Sequence, residues 1–355
     1  MNLRRIASGP TRSFFGRAAL LGAAAVVLSL AVACGDSDDD SADGDATQAP
    51  RLSGAVGIDG SSTVFPITEA VAEEFRNEQP GVQVTVGIAG TGGGFQRFCR
   101  GETDISNASR PISSSEQQAC AAANIQYVEL PVAYDALSVV VHPQNNWATC
   151  ITVPELKTMW QPSAQGTVTN WADVNPAWSA GGGLKLFGPG TDSGTFDYFT
   201  EHVNGRAKDS RGDYTPSEDD NVLVQGVAGD RSALGYFGLA YYEENRSRLK
   251  ALQVSQTTGG QCVEPNAANV ENGSYPLSRP LFVYVKKDSI LKPEVKAFVD
   301  FYVENAADLA AEVGYVKFPD NYYTLVEGRW TAQKVGTMYA SPPPGATLLQ
   351  LLQAP

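Results

Sequence analysis

A chain of 355 residues with 39 acidic and 26 basic side chains carries a formal charge of −13, which leaves no electrostatic footprint for nucleic acid. Two histidines and five cysteines, none in C-x-x-C spacing, offer no ligand set for a metal, and no cofactor motif stands out. The roughly 300 residues from position 51 onward exceed one ordinary core and point to two domains.

Residues 1–33 read as a targeting segment. Arg4, Arg5, Arg12 and Arg17 precede the apolar run AALLGAAAVVLSLAVA, which is about 16 residues long and short of the roughly 20 needed for a membrane span. Cys34 directly follows Ala31-Val32-Ala33, an arrangement that resembles a bacterial lipoprotein signal and implies a lipid anchor on that cysteine. Removing the leader takes away four arginines and no acid, so the mature chain stands at −17. Residues 34–50 hold six aspartates and no large apolar side chain, the composition of a disordered acidic tether. The chain is thus expected outside the cytoplasm, in a periplasm or on the outer face of the cell membrane. There Cys99, Cys120, Cys150 and Cys262 form disulfides by default. Three pairings are open; 99 with 120 and 150 with 262 is favoured, since closing a loop of about 20 residues limits the unfolded chain by roughly 3 kcal/mol.

In chain order, three strands each end in a turn rich in Gly, Ser and Thr and then enter a helical pattern. The first, AVGIDGSSTVFPITEAVAEEF, turns at Gly60-Ser61-Ser62-Thr63 and continues with Ile67, Val71 and Phe75 on one face. Pro66 suits the first helical turn, where its missing N–H is no loss. In the second, Val82, Val84 and Val86 alternate as a strand, and Gly90-Thr91-Gly92-Gly93-Gly94 leads to a short helix. The third, LKLFGPGTDSGTFDYFTEHVNG, buries Phe196, Phe199 and Val203 and stops at Gly205. Ser, Thr and Asp are good N-caps, so each turn alone has an ordinary explanation. Three together, brought to one cleft, make a site for a small oxyanion, because each helix start offers unpaired N–H groups and about half a positive charge.

Between the second and third turns, DISNAS reads as a strand ending at Arg110-Pro111, followed by a helix with a capping box at Ser113 and Glu116. A guanidinium at a strand end is well shaped to hold two oxygens of a tetrahedral anion. Three helix starts and Arg110 sum to about +2.5, enough to neutralise an anion of −1 to −2 inside an acidic protein.

At these residues the chain resembles the periplasmic phosphate-binding proteins, the substrate-binding components of phosphate ABC transporters. The likeness covers nearly all of residues 54–335, through GSSTVFP, GTGGG, ETDISNASRPIS, TNWADVNP, DSGTFDYF and ALGYFGLAYY. It implies an α/β type II periplasmic-binding-protein fold, with two α/β lobes joined by two hinge strands in ELPVAYDALSVVVHP and YPLSRPLFVYVKK. Residues 51–134 plus 283–355 would form lobe 1, and 135–282 lobe 2.

The resemblance also implies a site. Ser193, Gly194 and Thr195 match the family's Ser-Gly-Thr, and Thr91 matches the hydroxyl of the second turn, with Gly92 and Gly93 allowing close approach. In the first turn Val64-Phe65-Pro66 replaces the better-known Thr-Phe-Pro, so hydroxyl donors must come from Ser62 or Thr63, and Val64 offers only its N–H. Arg110 stands where the better-known pattern has an aspartate, and Pro189 where it has an arginine, so Arg110 is expected to supply the cation. A carboxylate that accepts the phosphate proton must then lie elsewhere, with Asp192 and Asp135 ranked equal, Asp59 behind them, and Asp104 as a structural residue. Such a carboxylate accepts from phosphate but faces a lone pair of sulfate, and an unpaired buried acceptor costs about 1 to 3 kcal/mol.

The expectation is a monomeric, lipid-anchored receptor that binds inorganic phosphate, docks to ABC permease subunits and performs no chemistry. The alternatives are a receptor for sulfate, molybdate or tungstate and, from another class, a serine hydrolase or phosphatase using Ser193 with His202. The hydrolase reading lacks a G-x-S-x-G elbow, and His202 falls about two turns beyond Ser193 on one helix. The tryptophans are expected in the core, and ASPPPGATLLQLLQAP as a tail.

Overall fold

The computed structural model describes residues 51–355 apart from 192, 344 and 355. The expected leader, the tether, the lipidation site Cys34 and the candidate acceptor Asp192 therefore lie outside the described residues.

Strand β1 (Gly54–Gly60) is parallel to β2 (Val82–Val86) and to β3 (Ile105–Ala108), with α1 (Phe65–Glu78) and α2 (Gly90–Cys99) as the crossovers. Helix α1 buries Ile67, Val71 and Phe75, the face expected from their spacing, and carries Pro66 in its first turn. Next come α3 (Ser114–Ala122) and β4 (Tyr127–Val141), a strand buried along all 15 residues. Ser113 and Glu116 close the expected capping box on α3.

The chain continues through β5 (Cys150–Thr152), α4 (Val153–Trp160), α5 (Trp171–Val174), β6 (Lys185–Gly188), α6 (Gly194–Asn204), β7 (Thr215–Pro216), α7 (Asp220–Gly229) and β8 (Ala233–Gly238). After α8 (Leu239–Glu244), β9 (Lys250–Ala251), β10 (Gln253–Ser255) and α9 (Ala267–Glu271) comes β11 (Ser278–Lys286). Three helices follow it, α10 (Pro293–Glu312), α11 (Asp320–Thr331) and α12 (Leu348–Gln353).

The main sheet runs β2-β1-β3-β11-β4-β8-β6-β7. Its pairings determine where the strand ends point. β11 is antiparallel to both β3 and β4, so β4 runs with β1 and β3. β8 is antiparallel to β4 and parallel to β6, so β6 runs the other way. Strand β4 pairs with β11 through residues 127–136 and with β8 through 137–141, joining the two groups end to end. The carboxyl ends of β1, β3 and β6 therefore all face the middle of β4, the region where open α/β sheets carry their ligands.

One apolar cluster packs α1, α10 and α11 on the first group of strands, with Val56, Ile58, Phe298 and Trp330 among its buried members. Another fills the second group around Trp160, Trp171, Phe199 and Tyr236 and reaches across to Tyr134, Phe318 and Leu348. The tryptophans are core residues, as expected: four belong to or pack on the second cluster, and Trp330 to the first. The terminal segment is more than a tail. Thr347 caps α12, and Leu348 and Leu351 are buried, so its Leu-Leu-Gln-Leu-Leu pattern docks on the body. Disulfides join Cys99 to Cys120 and Cys150 to Cys262, the favoured pairing.

Candidate functional site

The first turn is built by Ser61. Its backbone N–H donates to Asn107 O at 2.9 Å, its hydroxyl accepts from Thr63 N at 3.2 Å, and its carbonyl accepts from Val64 N at 3.2 Å and Phe65 N at 3.1 Å. The Val64 N–H, expected to face a ligand, is thus drawn into the turn, and the Val64 side chain is fully buried in the core. No side chain caps α1, so the hydroxyls of Ser62 and Thr63 have other uses. Ser62 Oγ donates to Asp197 Oδ2 at 3.0 Å, and Thr63 Oγ1 donates to Gly194 O at 3.1 Å, both on α6.

The second turn is likewise uncapped by any side chain. The Asp59 carboxylate accepts from Gly60 N at 2.7 Å and Ala89 N at 2.8 Å and pairs with Arg97, so it ties the first two turns together. Thr91 Oγ1 lies 3.1 Å from Ser109 Oγ and accepts from Ser109 N at 3.2 Å, which fixes it to the end of β3. Gly94 packs the second turn against the first: a Cβ there would sit 2.5 Å from Gly60 Cα.

At the third turn Ser193 caps α6 by accepting from Thr195 N at 3.1 Å, and Gly205 ends the helix in the left-handed region. Among the described residues no histidine bonds to Ser193. His202 packs edge-on against Tyr198, and burial lowers its pKa. Gly194 meets the first turn directly: a Cβ there would lie 2.6 Å from Thr63 Cα. The first and third turns, 131 residues apart, are in contact.

The two relevant arginines differ. Arg110 Nη1 and Nη2 each donate to Glu116 at 2.8 Å, which raises the Arg110 pKa. Burial works against the Glu116 charge, but the bonds from Arg110 and Ser113 outweigh it and hold that carboxyl below its usual range. A second cation reaches the turns: Arg279, on β11, which the sequence reading passed over. Its side chain is 13% exposed, its Nη2 donates to Thr63 Oγ1 at 3.2 Å, and its guanidinium lies 3.8 Å from the Tyr198 ring centroid. It faces Asp135 and Glu201, each at 3.5 Å, distances longer than a formed hydrogen bond. Asp135 is its cross-strand partner on β4. Burial pushes the Asp135 carboxyl up to about 6, opposed by Arg279.

Asp104 is structural, accepting from Ser289 Oγ at 2.6 Å, Lys292 Nζ at 2.8 Å and Gly57 N at 3.1 Å. Pro189 contributes a carbonyl to the Tyr214 hydroxyl at 2.9 Å. A cavity of about 200 Å³ opens beside the turns, lined in part by Arg110, Tyr198, Glu201, His202 and Arg279. Among the described residues no group of His, Cys, Asp and Glu is placed to hold a metal, and no helix is long and apolar enough to cross a membrane.

Residues 45–306 match the PBP superfamily domain. The chain is 50% identical over 286 residues to Protein SphX of Synechococcus elongatus, covering 80% of this chain and 84% of that one. It is 36% identical over 273 residues to the phosphate-binding protein PstS of Staphylococcus haemolyticus, covering 77% and 84%. The chain belongs to the PstS-like phosphate-binding proteins of the PBP superfamily. Among solved structures, a possible phosphate binding protein from Planctomyces limnophilus is similar with a TM-score of 0.76 and 47% identity, over 80% of this chain and 99% of that one. A putative phosphate ABC transporter substrate-binding protein from Clostridium perfringens, solved with bound phosphate, gives a TM-score of 0.51 at 28% identity, over 75% and 100%. The α/β fold of this PstS-like chain is the type II periplasmic-binding architecture.

Proposed function

We propose that the chain is an extracytoplasmic receptor that closes two lobes, residues 51–134 with 283–355 and residues 135–282, on inorganic phosphate and delivers it to ABC permease subunits. One observation carries the reading: α1 and α2 start without side-chain caps, while the hydroxyls of the first turn reach across to α6 and that of the second lies against the end of β3. The capping explanation of these Gly, Ser and Thr residues therefore fails for two turns of three. In its place, Thr91, Ser193 and Thr195 supply hydroxyls, Ser62 and Thr63 tie the first turn to α6, Gly92, Gly93 and Gly194 keep the backbone close, and Arg279 supplies the positive charge. Each hydrogen bond to a charged oxyanion adds about 1.5 to 3 kcal/mol, so a handful offsets its dehydration. Arg110 stands at the rim with its charge answered by Glu116, and Val64 shapes the turn from inside the core.

The relatives named phosphate-binding, and the similar structure with bound phosphate, favour phosphate over other oxyanions. The receptor role makes no use of chemistry at Ser193, whose hydroxyl is engaged as a helix cap. Cys34 anchors the mature chain in this reading, with the acidic tether as spacer. Calorimetry of the delipidated mature chain tests it: phosphate gives a saturable heat with one site, and sulfate and molybdate bind far more weakly. Tight sulfate binding without a phosphate signal overturns the reading.

A further inference from the structure

We infer that Asp197 is the carboxylate that accepts the proton of bound phosphate and thereby excludes sulfate; this rests on the phosphate-receptor reading above. Of four other carboxylates beside the turns, two are committed to hydrogen-bonded partners and two face a cation. Asp59 holds two backbone N–H groups and Arg97, and Glu116 holds Arg110 and the capping box; Asp135, whose Oδ2 is also buried without a hydrogen-bond partner, and the half-exposed Glu201 lie against the Arg279 charge.

Asp197 is different. It lies one helical turn into α6, its N–H donating to Ser193 O at 3.1 Å, so it shares a face with the third turn. Its Oδ2 takes the Ser62 hydroxyl of the first turn at 3.0 Å, which sets the carboxylate between the two turns. Its Oδ1 is buried and has no hydrogen-bond partner among the described residues. A buried carboxylate oxygen without a donor is costly, and a protonated phosphate oxygen is a donor of the right kind. Sulfate near neutral pH brings only lone pairs to the same place.

The surroundings keep this carboxylate basic. Burial raises its pKa, while Ser62, Lys208 and Arg279 favour its charge and Glu201 opposes it; Tyr236 of β8 also senses the Asp197 charge. A more basic carboxylate is a better acceptor for a phosphate proton.

The test is Asp197→Asn, an isostere whose amide can donate to sulfate. Calorimetry with phosphate and with sulfate, on wild type and variant, should show the phosphate-to-sulfate affinity ratio falling about 100-fold, with sulfate binding gained. An unchanged ratio overturns the assignment, and so does an equal loss for both anions, which is what a merely structural role predicts. Should the variant not fold, sulfate binding to Asp135→Asn, with Asp197 intact, is followed from pH 7 to pH 4. Sulfate carries no proton in that range, so its affinity should rise as Asp197 becomes protonated and turns donor; a flat profile overturns the assignment. A wild-type chain that binds no phosphate instead defeats the receptor reading itself, and the two failures are thereby distinct.

Discussion

Two arginines sit at strand ends near the convergence of the turns, and their surroundings give them different work. At the end of β3, Arg110 lies in a fork-on-fork pair with Glu116, which also closes a capping box, and its side chain is 35% exposed. Within β11, Arg279 is enclosed by Tyr198, Asp135, Glu201 and Thr63, and its Nε is buried without a hydrogen-bond partner. The first gives three of its donors to local groups, two of them to the Glu116 carboxylate. The second keeps its charge and several donors where elements from both groups of strands meet. A guanidinium is useful to a ligand in proportion to what it has not already bonded.

The comparison is most exposed to Arg279→Ala. This removes the cation and leaves Asp135 buried without its partner, so phosphate affinity should fall by roughly 100-fold or more and the chain should lose about 3 to 5 kcal/mol of stability. Titration calorimetry and urea unfolding read the two effects. A fully stable variant with unchanged affinity would return the cation to Arg110.

Gly194→Ala comes next. A methyl 2.6 Å from Thr63 Cα forces the first and third turns apart. Overpacking of this kind costs about 1 to 3 kcal/mol, so phosphate affinity should drop roughly 10- to 100-fold while the disulfide-linked body stays folded. Ala at Gly183, where a Cβ meets nothing within 4 Å, is the control for the added methyl away from the turns.

Asp135 makes a prediction in pH. Its folded pKa is raised to about 6 by burial, above the ordinary aspartate value of 3.8. In that window the folded chain holds a proton that the unfolded chain has released, so stability falls as pH rises from about 4 to 6 and levels off above. Asp135→Asn lacks this loss. Measured by urea unfolding, the variant should gain on wild type by about 3 kcal/mol across the window. A constant difference would mean that Arg279 keeps Asp135 charged throughout.

The smallest effect is expected from Arg110→Ala. A partly exposed ion pair contributes at most about 1 kcal/mol, and phosphate affinity should change less than about threefold. A 100-fold loss would show that Arg110 leaves Glu116 for the ligand.

Much of this was legible in the sequence because it is local. The strand-turn-helix units, the capping box at Ser113 and Glu116, Pro66 at a helix start, Gly205 at a helix end and the two disulfides all follow from neighbouring residues or from loop closure. What was missed depends on how distant segments meet. Arg279 was hidden inside YPLSRPLFVYVKK, read only as a crossing strand; the available signal was a lone charge ahead of a buried apolar run. Asp197 sits in the first turn of α6, where an acid is ordinary, and nothing in the sequence says that Ser62 lies opposite. Pro189 marked a missing charge, and the nearest arginine on a suggestive turn was Arg110. The register of β11 on β4, which pairs Arg279 with Asp135, brings a second arginine to the turns that no local pattern signals.

The most direct test of the central claim is a crystal structure of the mature chain grown with phosphate. One phosphate should lie within hydrogen-bond distance of Thr91, Ser193, Thr195 and the Arg279 guanidinium, with both lobes in contact with it. Phosphate bound by Arg110 away from Arg279, or held outside the three turns, would contradict that claim.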